Sequence, residues 1–228
     1  DTAIDLAYLR IFNFHKYQKF HKFKKKDKIN NSFYYRSKPV EKVGVYVPGG
    51  KASYPSSVLM NCIPAIVAGV KNIYLTTPAL GVLVNPAIIY AAKKCGVKEI
   101  YKAGGAHSIA ALTYGTKIFK KVNKIVGPGN AFVAAAKKEV FGEVGIDMVA
   151  GPSEVSILAD KNSNPDWIAS DLIAQAEHDI FSQSILITND IDFSKKVLKS
   201  INLYLSKIKR REIARASWEK FGAIIVCD

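Results

Sequence analysis

Between Val43 and Gly142 short apolar runs alternate with longer amphipathic ones, and this alternation is the tightest constraint on the fold. VGVYVP, NIYLTTP, EIYKAG and KIVGPG are strand-like, continuously apolar and rich in Val and Ile. SSVLMNCIPAIVAGV, NPAIIYAAKKCGV, AHSIAALTYG and NAFVAAAKKEVFG follow them in turn with apolar residues at helical spacing. Strands without a polar face must be covered on both faces, and one helix per strand is the signature of parallel pairing. A second run repeats the pattern: VSILAD, NPDWIASDLIAQAEHD, SQSILITND, one or two helices in DFSKKVLKSINLYLSKIKRREIARASWEKFG, and AIIVCD. The predicted fold class is α/β, with two incomplete open parallel sheets and helices on both faces. Asn164 followed by Pro165 predicts a cap and first helical position, Pro86 a first turn, and Ser56 or Ser57 lies near the N-cap of its helix. Before Val43, residues 1 to about 26 predict a helix, and NNSFYYRSKP a loop or hairpin.

Composition excludes several classes. The chain has 228 residues, 49% of them hydrophobic, which is enough for a sizeable core and too apolar for global disorder. Its longest unbroken apolar runs, such as Ile63 to Val70, fall well short of a membrane span. No basic stretch leads into an apolar segment with a small-residue cleavage site, so a cytoplasmic setting is expected. The three cysteines, Cys62, Cys95 and Cys227, are odd in number and far apart, which fits a reducing compartment better than a disulfide frame. A net charge of +14 invites a nucleic-acid reading. Against it, Arg10, Arg36, Arg210, Arg211 and Arg215 are the only arginines, whereas phosphate and base recognition favour the planar guanidinium. The densest basic run, HKYQKFHKFKKKDK at 15–28, reads as a solvated helix end entering a loop. A basic α/β nucleic-acid-binding module is the alternative. The expected partners are a small molecule, with neither nucleic acid nor membrane.

Four glycine-rich turns carry more polar residues than turning requires: VPGG (47–50) beside Tyr46, AGGAHS (103–108) with His107, GPGN (127–130) with Asn130, and AGPSE (150–154) with Ser153. Read as exits from strands, they line the crevice where open α/β sheets bind ligands, and free N–H groups at helix starts favour phosphate. GxGxxG is absent, so the standard dinucleotide fingerprint is not the warrant. In SDLIAQAEHDIFSQ, Gln175 and His178 are three apart within the predicted helix and leave the same face. They are either ordinary structural residues or two positions of a four- or five-coordinate metal site. Glu177 points away from that face. His15 and His21 lie in the lysine-rich run without partners at ligand spacing. No cysteine starts a helix beside a His, and GPSEV is not the GxSxG elbow, so cysteine and serine acyl chemistry are both disfavoured. An aldehyde-type NAD-dependent dehydrogenase would need such a cysteine.

GVYVPGGKASYPSSVLMNCIPAIVAGVKNIYLTTP, then KIVGPGNAFVAAAKKEVFGEVGIDMVAGPSEVSILAD and SDLIAQAEHD, closely resemble histidinol dehydrogenase, over nearly the whole chain from about Ile4. The resemblance implies zinc- and NAD-dependent oxidation of L-histidinol to L-histidine through the aldehyde, the last two steps of histidine biosynthesis. It implies homodimers, one zinc per subunit and paired Rossmann-like domains: 1–45 with 153–228 as a discontinuous first domain, and 46–152 as the second. It further implies that Gln175 and His178 bind zinc and adjoin the substrate, and that Ser153 contacts the substrate. Tyr46 and Asn130 match residues that hold NAD. So does His107, at a position where the family usually has Gln. The family's remaining zinc ligands, an Asp and a His, and its acid-base Glu-His pair lie beyond residue 228, so the chain resembles an internal fragment with no catalytic acid or base of its own.

Overall fold

The structure, a computed structural model, describes residues 2–19, 22–49, 53–79 and 83–227. It divides into two compact units, Asp1–Ala150 and Gly151–Asp228.

The first unit opens with α1 (Thr2–His15), a stripe of Ile4, Ala7, Tyr8, Ile11 and Phe12 packed on the core. Asp5 accepts from Tyr90 Oη at 2.9 Å and pairs with Lys94 at 2.9 Å, which ties this helix to α3 further along the chain. The predicted helix does not continue to residue 26. After a 3₁₀ turn (Lys16–Gln18), β1 (Phe23–Lys26) pairs antiparallel with β2 (Ser32–Tyr35) as an exposed hairpin. FKKK offers no apolar stripe for a helix to bury, whereas Phe23 stacks on Tyr35 across the strands at 5.5 Å. His21 lies outside the described residues, as do Gly50, Lys51 and Ala52 of the predicted VPGG and GGKASYP turns and the terminal Asp228.

The sheet proper comprises β3 (Lys42–Tyr46), then α2 (Pro55–Ala68), β4 (Asn72–Thr76), α3 (Pro86–Lys94), β5 (Glu99–Tyr101), α4 (Gly105–Tyr114), β6 (Lys124–Val126), α5 (Ala131–Glu139) and β7 (Gly145–Ile146). The order is β5-β4-β3-β6-β7, all parallel. Val43, Val45, Ile73 and Leu75 face one side and meet Val58, Leu59, Ile63 and Ile88. Tyr46, Tyr74, Tyr101 and Ile125 face the other and meet Ile109, Leu112 and Val133. Both faces are therefore helix-covered, which explains why these strands read as apolar throughout. Gly44 has no side chain because Leu112 of α4 sits there: a Cβ would lie 2.9 Å from Leu112 Cδ1. α2 begins at Pro55 with Tyr54 as its cap and no side-chain capping bond, so Ser56 and Ser57 stand in its first turn, near the cap as expected. Pro55 fits this first position because its missing N–H has no intrahelical acceptor there. All five β3 residues pair with β4.

The second unit contains β8 (Glu154–Leu158), α6 (Pro165–Ala176), β9 (Gln183–Thr188), α7 (Ile191–Lys207), α8 (Arg211–Phe221) and β10 (Gly222–Val226), in the parallel order β10-β9-β8. Asn164 caps α6 through Oδ1, which accepts from Asp166 N–H, and Pro165 follows it as expected. Both crossovers step in the same direction, so all three helices share one face and one core around Leu172, Leu186, Val197 and Ile201. Among the described residues no helix is long and apolar enough to cross a membrane.

Cys62 and Cys95 are buried in the first core, and Cys227 is exposed. The neighbouring Cys95 and burial together push the Cys62 thiol well above its ordinary range. A thiol reagent is expected to label Cys227 in the folded protein and Cys62 and Cys95 only after denaturation. Fast labelling of Cys62 would contradict this packing.

Candidate functional site

From β3 the chain steps outward to β4 and β5, and then α4 carries it back to the other side of β3, where β6 pairs. The direction of winding reverses between β3 and β6. In open parallel sheets a ligand crevice forms at this reversal, beyond the carboxyl ends of the strands. Three of the four glycine-rich turns leave this edge, after β3, β5 and β6. The fourth, AGPSE, instead leads into β8 at its amino end.

Tyr46 ends β3 with its ring buried at 3% exposure, and its hydroxyl accepts the Gly105 N–H at 3.1 Å, fixing the start of α4. His107 is the third residue of that helix and is exposed. Asn130 caps α5: its Oδ1 accepts from Val133 N–H at 3.1 Å, and its Nδ2 has no protein partner among the described residues. Thr77, just past β4 at the same edge, has a buried hydroxyl with no partner. The crevice thus presents the α5 N-terminus, an uncommitted amide and a hydroxyl, a donor-rich edge suited to an anionic ligand.

Sequence reading missed Lys137 and Asp147. Lys137 projects from the buried stripe of α5, four residues after Val133 and three before Val140, and is 3% exposed. Its Nζ donates to Gly127 C=O at 3.0 Å and pairs with Asp147 Oδ1, while Asp147 Oδ2 accepts the Gly127 N–H at 2.8 Å. A lysine inside an apolar stripe was the available signal. Gly127 itself has φ +115°, and a Cβ there would collide with Tyr46 O, so only glycine fits where this loop crosses the end of β3.

In the second unit the structure brings Ser153, Gln175 and His178 to one end. Ser153 immediately precedes β8, and α6 runs back against the strands so that its last turn reaches their amino edge. Ser153 is exposed, and its carbonyl accepts from Gln183 N–H at 3.0 Å. α6 stops at Ala176, earlier than predicted. His178 lies in the following turn, its N–H bonded to Gln175 O at 3.1 Å, and Asp179 Oδ1 draws the chain away by accepting from Phe181 N–H at 3.0 Å. Among the described residues Gln175 Nε2 is buried without a partner, and the His178 ring is exposed and makes no hydrogen bond. Only the amide nitrogen is orphaned, so a ligating Oε1 needs the carboxamide turned over; turned so, it and the unengaged imidazole three residues on are a donor set that fits two positions of a metal site. Among the described residues no group of three or more His, Cys, Asp or Glu could hold a metal ion. In the first unit a groove of about 420 Å³ is lined by His15, Lys19, Lys38 and the end of α2, and His15 there is hydrogen-bonded to Gln18 at 2.6 Å.

The family model for histidinol dehydrogenase matches residues 1–228. The chain belongs to the histidinol dehydrogenase family. It is 57% identical over 224 residues to histidinol dehydrogenase of Pelagibacter ubique, covering 98% of this chain and 52% of that protein. The Mesorhizobium japonicum histidinol dehydrogenase is 54% identical over 223 residues, again with 98% and 52% covered. The chain thus spans about half the length of the curated relatives it matches. The crystal structure of histidinol dehydrogenase from Elizabethkingia anophelis superimposes with a TM-score of 0.93 at 42% identity, covering 99% of this chain and 52% of that one. A propionaldehyde dehydrogenase from Rhodopseudomonas palustris is similar in fold alone, with a TM-score of 0.50 at 14% identity over 80% of this chain and 40% of that one. The fold of the histidinol dehydrogenase family is accordingly α/β and Rossmann-like, as expected.

Burial pushes the Asp147 carboxyl upward, but hydrogen bonds from Lys137, Gly127 N–H and Met148 N–H more than offset this and hold it below 3.8, its ordinary value. A carboxylate held low in the folded state contributes stability that is present above its unfolded value and is lost as pH falls through the folded one. The thermal midpoint of the unsubstituted protein is therefore expected to drop more steeply below about pH 4 than that of Asp147→Asn. Parallel acid profiles would remove Asp147 from this account.

Proposed function

We propose that the protein of which this chain forms part oxidises L-histidinol to L-histidine through L-histidinal, using NAD and one zinc ion per subunit. Family membership supports this reading, and the observation that carries it at the level of residues is the Gln175 amide, its buried nitrogen without a partner among the described residues, three positions before the unengaged His178 ring. Gln175 Oε1 and one His178 ring nitrogen would hold the metal, and the Ser153 hydroxyl, at the same end of the unit, would hydrogen-bond the substrate. When bound, zinc would gather the substrate's nitrogens and NAD would accept hydride from its alcohol carbon. The residues here act chiefly by placement, and fixing reactants in a near-attack geometry lowers a barrier by roughly 7–11 kcal/mol.

In the first unit, Tyr46 holds the start of α4, His107 presents an imidazole from its first turn, and Asn130 offers its amide at the start of α5; these three would hold the dinucleotide. The acid and base that move protons, and the remaining metal ligands, would come from the part of the protein beyond this chain. A homodimer in the cytoplasm, and a discontinuous domain pairing 1–45 with 153–228 in the complete protein, belong to the same reading and are supported by family character.

The experiment is NADH formation from L-histidinol. The purified 228-residue chain is expected to bind zinc weakly and to produce no NADH, whereas the full-length protein turns over. In the full-length protein, His178→Ala is expected to lower kcat/KM and zinc affinity by at least about 100-fold with the KM for NAD little changed. Full turnover by the 228-residue chain, or a fully active and zinc-replete His178→Ala, would overturn the reading.

A further inference from the structure

Lys137 is costly where it sits. A nearly fully buried ammonium loses its hydration, and a well-packed apolar residue of similar length would usually serve stability as well or better. Its two hydrogen-bond partners show what it does instead. Nζ holds Gly127 C=O and Asp147 Oδ1, and Asp147 Oδ2 holds Gly127 N–H. The lysine, the carboxylate and the glycine peptide groups thus close a ring through which both backbone polar groups of Gly127 are fixed by side chains. Asp147 Oδ1 also accepts from Met148 N–H at 2.7 Å, which anchors the carboxylate to its own strand exit after β7.

The ring lies directly beneath the reversal crevice. Gly127 is the first residue of the turn after β6, and it crosses Tyr46 so closely that no side chain is tolerated. Three residues later Asn130 caps α5, whose N–H groups face the same edge. Parallel sheets do not themselves hold such a turn, because its peptide groups lie past the last ladder bond. Something must fix them, and here two charges do.

We propose that Lys137 and Asp147 are positioning residues for the dinucleotide, locking the peptide groups of Gly127 so that the turn to Asn130 and the α5 N-terminus are preformed before the ligand arrives. This rests on the dinucleotide reading of the first unit. Neither side chain touches the ligand. Their effect falls on the ordering that binding would otherwise have to impose on the turn.

The test uses the full-length protein and Lys137→Met, which keeps length and removes the charge. Amide exchange at Gly127 to Asn130 is expected to be at least about tenfold faster in the variant, with the α2 and α7 amides unchanged. The KM and dissociation constant for NAD are expected to rise at least about tenfold, while the KM for histidinol moves by less than about twofold, a split that general destabilisation does not produce. If Lys137→Met does not fold, the double variant Lys137→Met/Asp147→Asn removes both charges and leaves neither unpaired. In the unsubstituted protein the Gly127 amide must already exchange slowly, and fast exchange there overturns the proposal without any variant. A loosened turn with unchanged NAD affinity, or unchanged exchange, overturns it as well. Unsubstituted protein that shows no NAD binding at all would instead overturn the dinucleotide reading on which the role depends.

Discussion

The first unit depends on β3 being taken out of water completely. Every residue from Val43 to Val47 is buried, so the strand must have a partner on each edge and helices on each face. β4 and β6 supply the edges, α2 and α3 one face, and α4 and α5 the other. Once two strands are laid down on one side, the only edge left for β6 is the opposite one, and the reversal of winding follows. What hangs from β3 is the candidate dinucleotide site: Tyr46 ends the strand, the hydroxyl of Tyr46 fixes α4, and its carbonyl shapes the crossing of Gly127.

The parallel sheets were legible because their signal is the physics itself: strands covered on both faces cannot show polar alternation, and VGVYVP and NIYLTTP show none. Asn164, Pro165 and Pro86 announced helix starts for equally local reasons. The opening was misread where the local pattern is weak. FKKK holds its pairing with SFYY through the ring contact of Phe23 on Tyr35, and nothing in FKKK alone distinguishes that from a solvated helix end, whereas NNSFYYRSKP reads as loop or hairpin and supplies the second strand. Ser56 and Ser57 marked the start of α2 without capping it, because Pro55 can begin a helix with no side-chain cap. Lys137 and Asp147 escaped for a different reason. A charge inside the apolar stripe of α5 marks Lys137, but the partnership of the two is with a glycine peptide group ten and twenty positions away, and no spacing rule encodes it.

The two halves of the candidate chemistry follow different designs. At the carboxyl edge of the first sheet, backbone donors and helix starts do the presenting, and side chains hold them in place. At the amino edge of the second, the candidate ligands are side chains at the end of α6. The helix does not continue through them: the turn that releases the chain after Ala176 bonds His178 N–H to Gln175 O, so His178 leaves from a turn and not from the helical face that its spacing predicted.

Asn130 carries a consequence for what the crevice accepts. The amide orientation is set unambiguously, since Val133 N–H can only give a proton and so must face the oxygen. With one lone pair of that oxygen held by the helix, the two amide hydrogens are the group's wholly unengaged side. The position is therefore biased in one direction. It favours a ligand that brings lone pairs, such as a ribose or phosphate oxygen, over one that arrives there with nothing but protons to give.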